Sequence, residues 1–141
     1  MTAKEYLEQY RRLKIEIDSK TEQLEELRGL AESMPHFSGS GGSGGASDKV
    51  GKTVAKIIDL ENEISCQIDK LLELKKEIES TIAKVEDPVL RQILTLVYIN
   101  GNDLVQTAAK MNYSYRQIKR KHKDAINNVK DVLECPLTLM L

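Results

Sequence analysis

The sequence predicts an all-α protein: a long antiparallel coiled-coil helical hairpin followed by a helix-turn-helix bundle. Three observations lead there. Apolar residues recur at alternating gaps of three and four over two long stretches, the period of helices packed along a narrow seam. Aromatic residues are only 4 % of the 141, with one Phe and no Trp, so little is available to anchor one large globular core. The three prolines, Pro35, Pro88 and Pro136, stand at the junctions of the periodic stretches, where a missing N–H does no harm.

The first helix is expected from about Thr2 to Met34. Its seam puts Tyr10, Ile17, Leu24 and Ala31 at a positions, and Tyr6, Leu13, Lys20, Leu27 and Met34 at d positions. Thr2 and Glu5 have the spacing of a capping box. Then comes a break. Pro35-His36-Phe37 leads into a stretch holding five of the eight glycines, and this predicts a flexible Gly/Ser loop over about 35–48. The composition suits a natural loop and an engineered spacer alike.

The second helix is expected from near Lys49 to about Glu86. Its seam is Val50, Val54, Ile57, Ile64, Ile68, Leu71, Ile78, Ile82 and Val85, with Glu61 and Lys75 filling two positions. Ile58, Leu60, Leu72 and Leu74 widen the stripe beyond what one partner helix covers. Residues 1–87 are therefore expected to form a hairpin that dimerises. Leu13, Ile17, Leu24, Leu27, Ile57, Ile64, Ile68, Leu71 and Ile78 are its candidate oligomerisation residues, and the lone polar seam residues would set register.

Residues 88–141 form the expected second domain. Asp87 as N-cap and Pro88 at the first helical position open a third helix, apolar on most faces, that runs to Ile99. Asn100-Gly101 ends it, and Asn102 or Asp103 caps the fourth, whose inner face is Leu104, Ala108 and Met111. Asn112-Tyr113 turns the chain, Ser114 caps the fifth helix, and Ile118, Ala125, Ile126, Val129, Val132 and Leu133 are expected to face inward. An apolar tail from Pro136 to Leu141 closes the chain, too short to cross a bilayer.

Charge is divided between the two parts. Residues 1–87 carry 13 Lys/Arg against 18 Asp/Glu, and residues 88–141 carry eight against four. With Ile118, Ala125 and Val129 turned inward, Tyr115, Arg116, Lys119, Arg120 and Lys123 point outward and Gln117 lies at the edge. A basic second helix after a tight turn is the form of a major-groove reader. The candidate DNA-binding residues are Ser114, Tyr115, Arg116, Gln117, Lys119, Arg120 and Lys123. Arg116 and Arg120 could fork onto guanine and Gln117 onto adenine, while later basic residues meet phosphates. A solvated basic face is the plainer alternative. His122 shares the inward face of Ile118 and is expected to be a packed residue.

Other chemistries find little support. Cys66 and Cys135 are 69 positions apart without metal-type spacing and read as two reduced thiols. No signal sequence or membrane-length apolar run is present, so a cytoplasmic protein without a membrane partner is expected. The Gly-rich stretch lacks the Lys-Ser/Thr of a phosphate loop. No catalytic group, cofactor or metal is expected.

The run Leu104…Ala108…Met111-Asn112-Tyr113-Ser114-Tyr115-Arg116-Gln117-Ile118-Lys119-Arg120…Ala125-Ile126 resembles region 4 of bacterial sigma-70-type factors, with RQILTLVYINGND as its lead-in helix. The chain from MTAKEYL through AKIIDLENEI also resembles uncharacterised phage and prophage proteins of Gram-positive bacteria described as sigma-like or late-gene transcription regulators. The resemblance implies a sigma-region-4-like helix-turn-helix in which Tyr115, Arg116, Gln117, Lys119 and Arg120 meet promoter DNA. It also implies host RNA polymerase as a further partner, inside a bacterial host cell. Thr107 stands where that pattern has an aliphatic residue, and no region 2 precedes the module, which favours an accessory regulator over a complete sigma factor. The expected function is thus a phage-type DNA-binding transcriptional regulator acting as a homodimer on duplex DNA. A small-terminase-like packaging protein and a coiled-coil scaffold without DNA binding are the alternatives.

Overall fold

The computed structural model describes residues 1–33 and 44–135, with side chains from residue 49 onward in the second segment. Among the described residues the protein is all-α: α1 (Ala3–Ser33), α2 (Gly44–Ala83), α3 (Pro88–Leu94), a π-helical turn (Thr95–Ile99), α4 (Leu104–Met111) and α5 (Tyr115–Glu134). The Gly/Ser loop expected over about 35–48 lies outside the described residues up to residue 43. So do the apolar tail, and Met34 and His36. From Gly44 the backbone is already helical, five residues ahead of the expected start at Lys49; extending an existing helix takes one hydrogen bond per residue fixed and needs no new nucleus.

The chain divides into two compact units, and the cut is not at residue 88. One unit takes residues 14–70. The other joins residues 1–13 to the described residues from 71 onward. The expected division at 87/88 marks a junction between helices. The units are cut within α1 and α2 because the first turns of α1 and the last turns of α2 pack with the C-terminal helices.

In the unit of residues 14–70, α1 and α2 lie side by side with opposite polarity. Lys20 donates to Glu63 at 2.6 Å, and Arg28, later on α1, reaches Glu61, earlier on α2. On α1 the expected seam holds: Ile17 and Leu24 are buried, with Leu13, Lys20 and Leu27 half-buried. Lys20 keeps its ammonium in the seam because Glu63 and Glu16 both contact it, and the Glu63 hydrogen bond raises its pKa.

The expected seam of the second helix holds at Ile57 and Ile64 in this unit and from Leu71 to Val85 in the other, but fails at four positions from 50 to 68. Thr53, Ile57, Leu60, Ile64 and Gln67 turn inward, whereas Val50, Val54, Glu61 and Ile68 are exposed. Between inward Ile57 and Ile64 a heptad allows position 60 or 61, and the broad apolar stripe offered no way to choose. Gln67 at the inward position leaves its Oε1 buried without a hydrogen-bond partner.

In the other unit one apolar cluster binds all the helices. Ala3, Leu7 and Tyr10 from α1 and Ile78, Ile82 and Val85 from α2 join Leu90, Ile93, Leu94, Val97, Tyr98, Ala108, Ile118, Ala125 and Val129. Leu7, Ile78, Ile93, Leu94, Ile118 and Val129 are fully buried. The Tyr6 hydroxyl and Thr81 Oγ1, 2.9 Å apart, tie α1 to α2 in this unit. Thr2 and Glu5 form the expected capping box, each backbone N–H meeting the other's side chain.

Asp87 caps α3 through Val89 N at 2.8 Å, with Pro88 at the first helical position as expected. Arg91 then reaches back to the carbonyls of Val85 and Glu86 and closes the corner between α2 and α3. The helix expected through Ile99 persists, but its last five residues widen into a π turn, with Asn100 N donating to Thr95 O at 3.0 Å. Gly101, at φ 80°, makes the reversal that a side chain would resist. Leu133 is exposed rather than inward, because the cluster that holds α5 reaches no further than Val132.

Candidate nucleic-acid interface

The candidate surface is built on α4, a three-residue turn and α5. Asp103 and Gln106 cap α4 reciprocally: Gln106 N donates to Asp103 Oδ1 at 2.7 Å and Asp103 N to Gln106 Oε1 at 2.9 Å. Of the two cap residues the sequence offered, Asp103 serves. Asn102 is buried instead, donating to Leu96 O and accepting from Lys110 Nζ at 2.9 Å. Thr107, where an aliphatic residue was anticipated, is fully buried with its hydroxyl donated to Asp103 O at 2.8 Å. The hydroxyl is satisfied within the helix, so the methyl face is free to pack.

The turn depends on Asn112. Its φ of 59° and ψ of 39° are left-handed, a conformation Asn tolerates better than other side-chain-bearing residues. Tyr113 N then reaches Ala108 O at 3.0 Å, ending α4. Lys121 from α5 sits over the Tyr113 ring at 5.6 Å, pinning the turn against the helix it introduces.

Ser114 caps α5 as expected, through Gln117 N at 3.1 Å. Gln117 completes a second capping box that the sequence reading did not draw, its Oε1 accepting from Ser114 N at 3.0 Å. This bears on its expected role. A bidentate contact to adenine needs both the amide oxygen and the NH2. Here the oxygen already accepts a hydrogen bond in the cap, so Gln117 also fixes the shape of the helix start.

Helical spacing then sorts α5. Ile118, Ala125 and Val129 are buried, and Tyr115, Arg116, Lys119, Arg120 and Lys123 are exposed, as expected. Arg116, Arg120 and Lys123 continue as Asn127 and Lys130 at i, i+4, i+7, i+11 and i+14, an exposed line of roughly 21 Å. Asn127 and Lys130 were not among the candidate residues, although the same helical period points to them. Among the described residues no carboxylate pairs with Arg116, Lys119, Arg120, Lys123 or Lys130. The face is an uncompensated row of cations.

What holds α5 in place lies behind that row. His122 Nε2 and the Tyr98 hydroxyl are 2.7 Å apart and their rings stack at 5.7 Å between centroids. Burial lowers the His122 pKa, with Lys4 adding to the effect, so the imidazole is neutral at neutral pH. Burial pushes Tyr98 up to about 12, with Glu8 adding to it. His122 is thus a packed residue, as expected. The sequence carried no sign that Lys4 would act on His122 or Glu8 on Tyr98, each some ninety or more positions earlier.

Cys66 and Cys135 are exposed free thiols, and among the described residues no group of His, Cys, Asp or Glu is placed to hold a metal ion. No helix among them is long and apolar enough to cross a membrane. Residues 31–130 match the family described as Protein of unknown function (DUF1492). No curated protein and no solved structure matches the chain.

Proposed function

We propose that this chain, which belongs to the DUF1492 family, is a phage-type transcriptional regulator that binds duplex DNA through α5. The observation carrying the proposal is the unpaired row Arg116, Arg120, Lys123 and Lys130 on a helix that follows a three-residue turn from α4. Read as a helix-turn-helix, α5 would enter the major groove by its start. Tyr115, Arg116 and Arg120 then meet base edges, and Lys119, Lys123 and Lys130 meet phosphates. Cations without carboxylate partners are free to displace the counterions of the duplex, which is where most affinity arises. The likeness of residues 104–126 to sigma region 4 supports the same reading and makes host RNA polymerase a candidate second partner.

The test is duplex binding by fluorescence anisotropy from about 50 to about 300 mM salt, beside Arg116→Ala/Lys119→Ala/Arg120→Ala. Wild type binds with a steep salt dependence. The triple variant loses affinity, and its log–log salt slope is shallower by about 3, near 0.9 for each cation removed. Absence of wild-type binding at about 50 mM salt refutes the proposal, since non-specific duplex binding is strongest there.

A further inference from the structure

A second apolar line runs along α2. Val54, Ile58, Ile68 and Leu72 are 43, 50, 41 and 58 % exposed, although each is a large aliphatic residue. With 3.6 residues per turn they sit roughly 100° around the helix from the inward Ile57, Leu60 and Ile64, so α1 leaves them uncovered. Taken with Glu61 and Ser65 they repeat at gaps of 4, 3, 4, 3 and 4, the heptad of a helix with a partner on that side. Gly51, Ala55, Asn62 and Cys66 flank the line, with Asp69 and Glu73 on the same side further along α2. Gly51 fits the same picture. Glycine inside a helix weakens it, and a Cβ at position 51 would meet nothing within 4 Å in this chain.

We infer that a second copy of this chain covers the line, with the two α2 helices antiparallel and Glu61 opposite Ser65 of the partner subunit. The order Val, Ile, Glu, Ser, Ile, Leu runs apolar, apolar, polar, polar, apolar, apolar, so under a two-fold axis it is its own complement. Val54 then meets the partner's Leu72, and Ile58 meets the partner's Ile68. A parallel pairing stacks Glu61 on the partner's Glu61, whereas the antiparallel register gives each carboxylate a hydroxyl donor. Arg28 of the same chain already binds Glu61, which lowers the cost of drying it. This differs from the expected oligomerisation surface. Ile17, Leu24, Ile64 and Ile78 are buried within a single chain, and of the residues expected there Ile68 alone lies on the exposed line. The inference does not depend on what α5 binds.

Sedimentation equilibrium on the full chain tests it. The expected mass is twice 15.9 kDa, and Ile58→Glu and Ile68→Glu each return it to 15.9 kDa with helical circular dichroism intact, since both side chains are exposed in the single chain. Ser65→Glu weakens association at least about tenfold by facing the partner's Glu61, and Ser65→Lys strengthens it. A wild-type monomer at tens of micromolar, or a dimer indifferent to Ile58→Glu, overturns the surface. Equal weakening by Ser65→Glu and Ser65→Lys overturns the register.

Discussion

Replacing Leu7 by Ala tests whether the helix that carries the proposed DNA-binding residues depends on the opposite end of the chain. Leu7 is fully buried in the cluster that also holds Ile118, Ala125 and Val129 of α5. Removing a buried leucine side chain costs its transfer free energy plus that of the cavity left behind, about 3 kcal/mol at a site closed on all sides. For a chain of this size that lowers Tm by about 10 °C. Ile15 lies on the same helix but is exposed, so Ile15→Ala is the control and should stay within about 0.5 kcal/mol of wild type. Urea unfolding followed by circular dichroism reads the stability. Amide hydrogen exchange at Ala125 and Val129 reads whether the loss reaches α5. If Leu7→Ala costs under 1 kcal/mol, or if those two amides keep wild-type protection while residues 14–70 loosen, the packing argument is wrong.

Three further outcomes follow from the same geometry. Ser114→Ala should cost about 1 kcal/mol, and adding Gln117→Ala should cost less than a second independent cap because the two close one box; a double-mutant cycle by thermal melting measures the shortfall. His122 is held neutral when folded and has its ordinary pKa near 6.5 when unfolded. Its contribution is therefore complete above about 6.5 and declines as pH falls toward the lowered folded value, and His122→Gln should flatten the stability profile between about pH 7 and 5. Gln67→Leu should raise stability by about 1 kcal/mol, since it removes the buried unpaired Oε1 and adds an apolar layer between Ile64 and Leu71; an unchanged urea midpoint would mean that the amide is hydrated in solution.

The elements whose signals are local were legible in the chain itself. Thr2 with Glu5, Asp87 with Pro88, and Ser114 each announce a helix start, because a cap needs only residues within one turn. Gly101 and Asn112 mark reversals for the same reason, a positive φ being a property of one residue. The exposed basic face of α5 followed from period alone, once Ile118, Ala125 and Val129 were set inward.

Where several helices share one core, sequence pattern stopped being sufficient. On α2 two apolar lines run about 100° apart, and local periodicity ranks neither above the other; packing against α1 settled it, leaving Val54 and Ile68 outside and placing Leu60 and Gln67 inside. Gln117 reads from sequence as a base contact, and the structure adds a capping role for its oxygen. The division of the chain is the clearest case. Tyr10 reads as a seam residue of the coiled coil, yet with Ala3 and Leu7, which the seam left out, it completes the core behind α5. Residue order decided which stretches became helices and which faces were apolar, since those depend on neighbours a turn away. Which apolar faces meet depends on burying the most surface at once across residues over a hundred positions apart, and only the tertiary structure decided that.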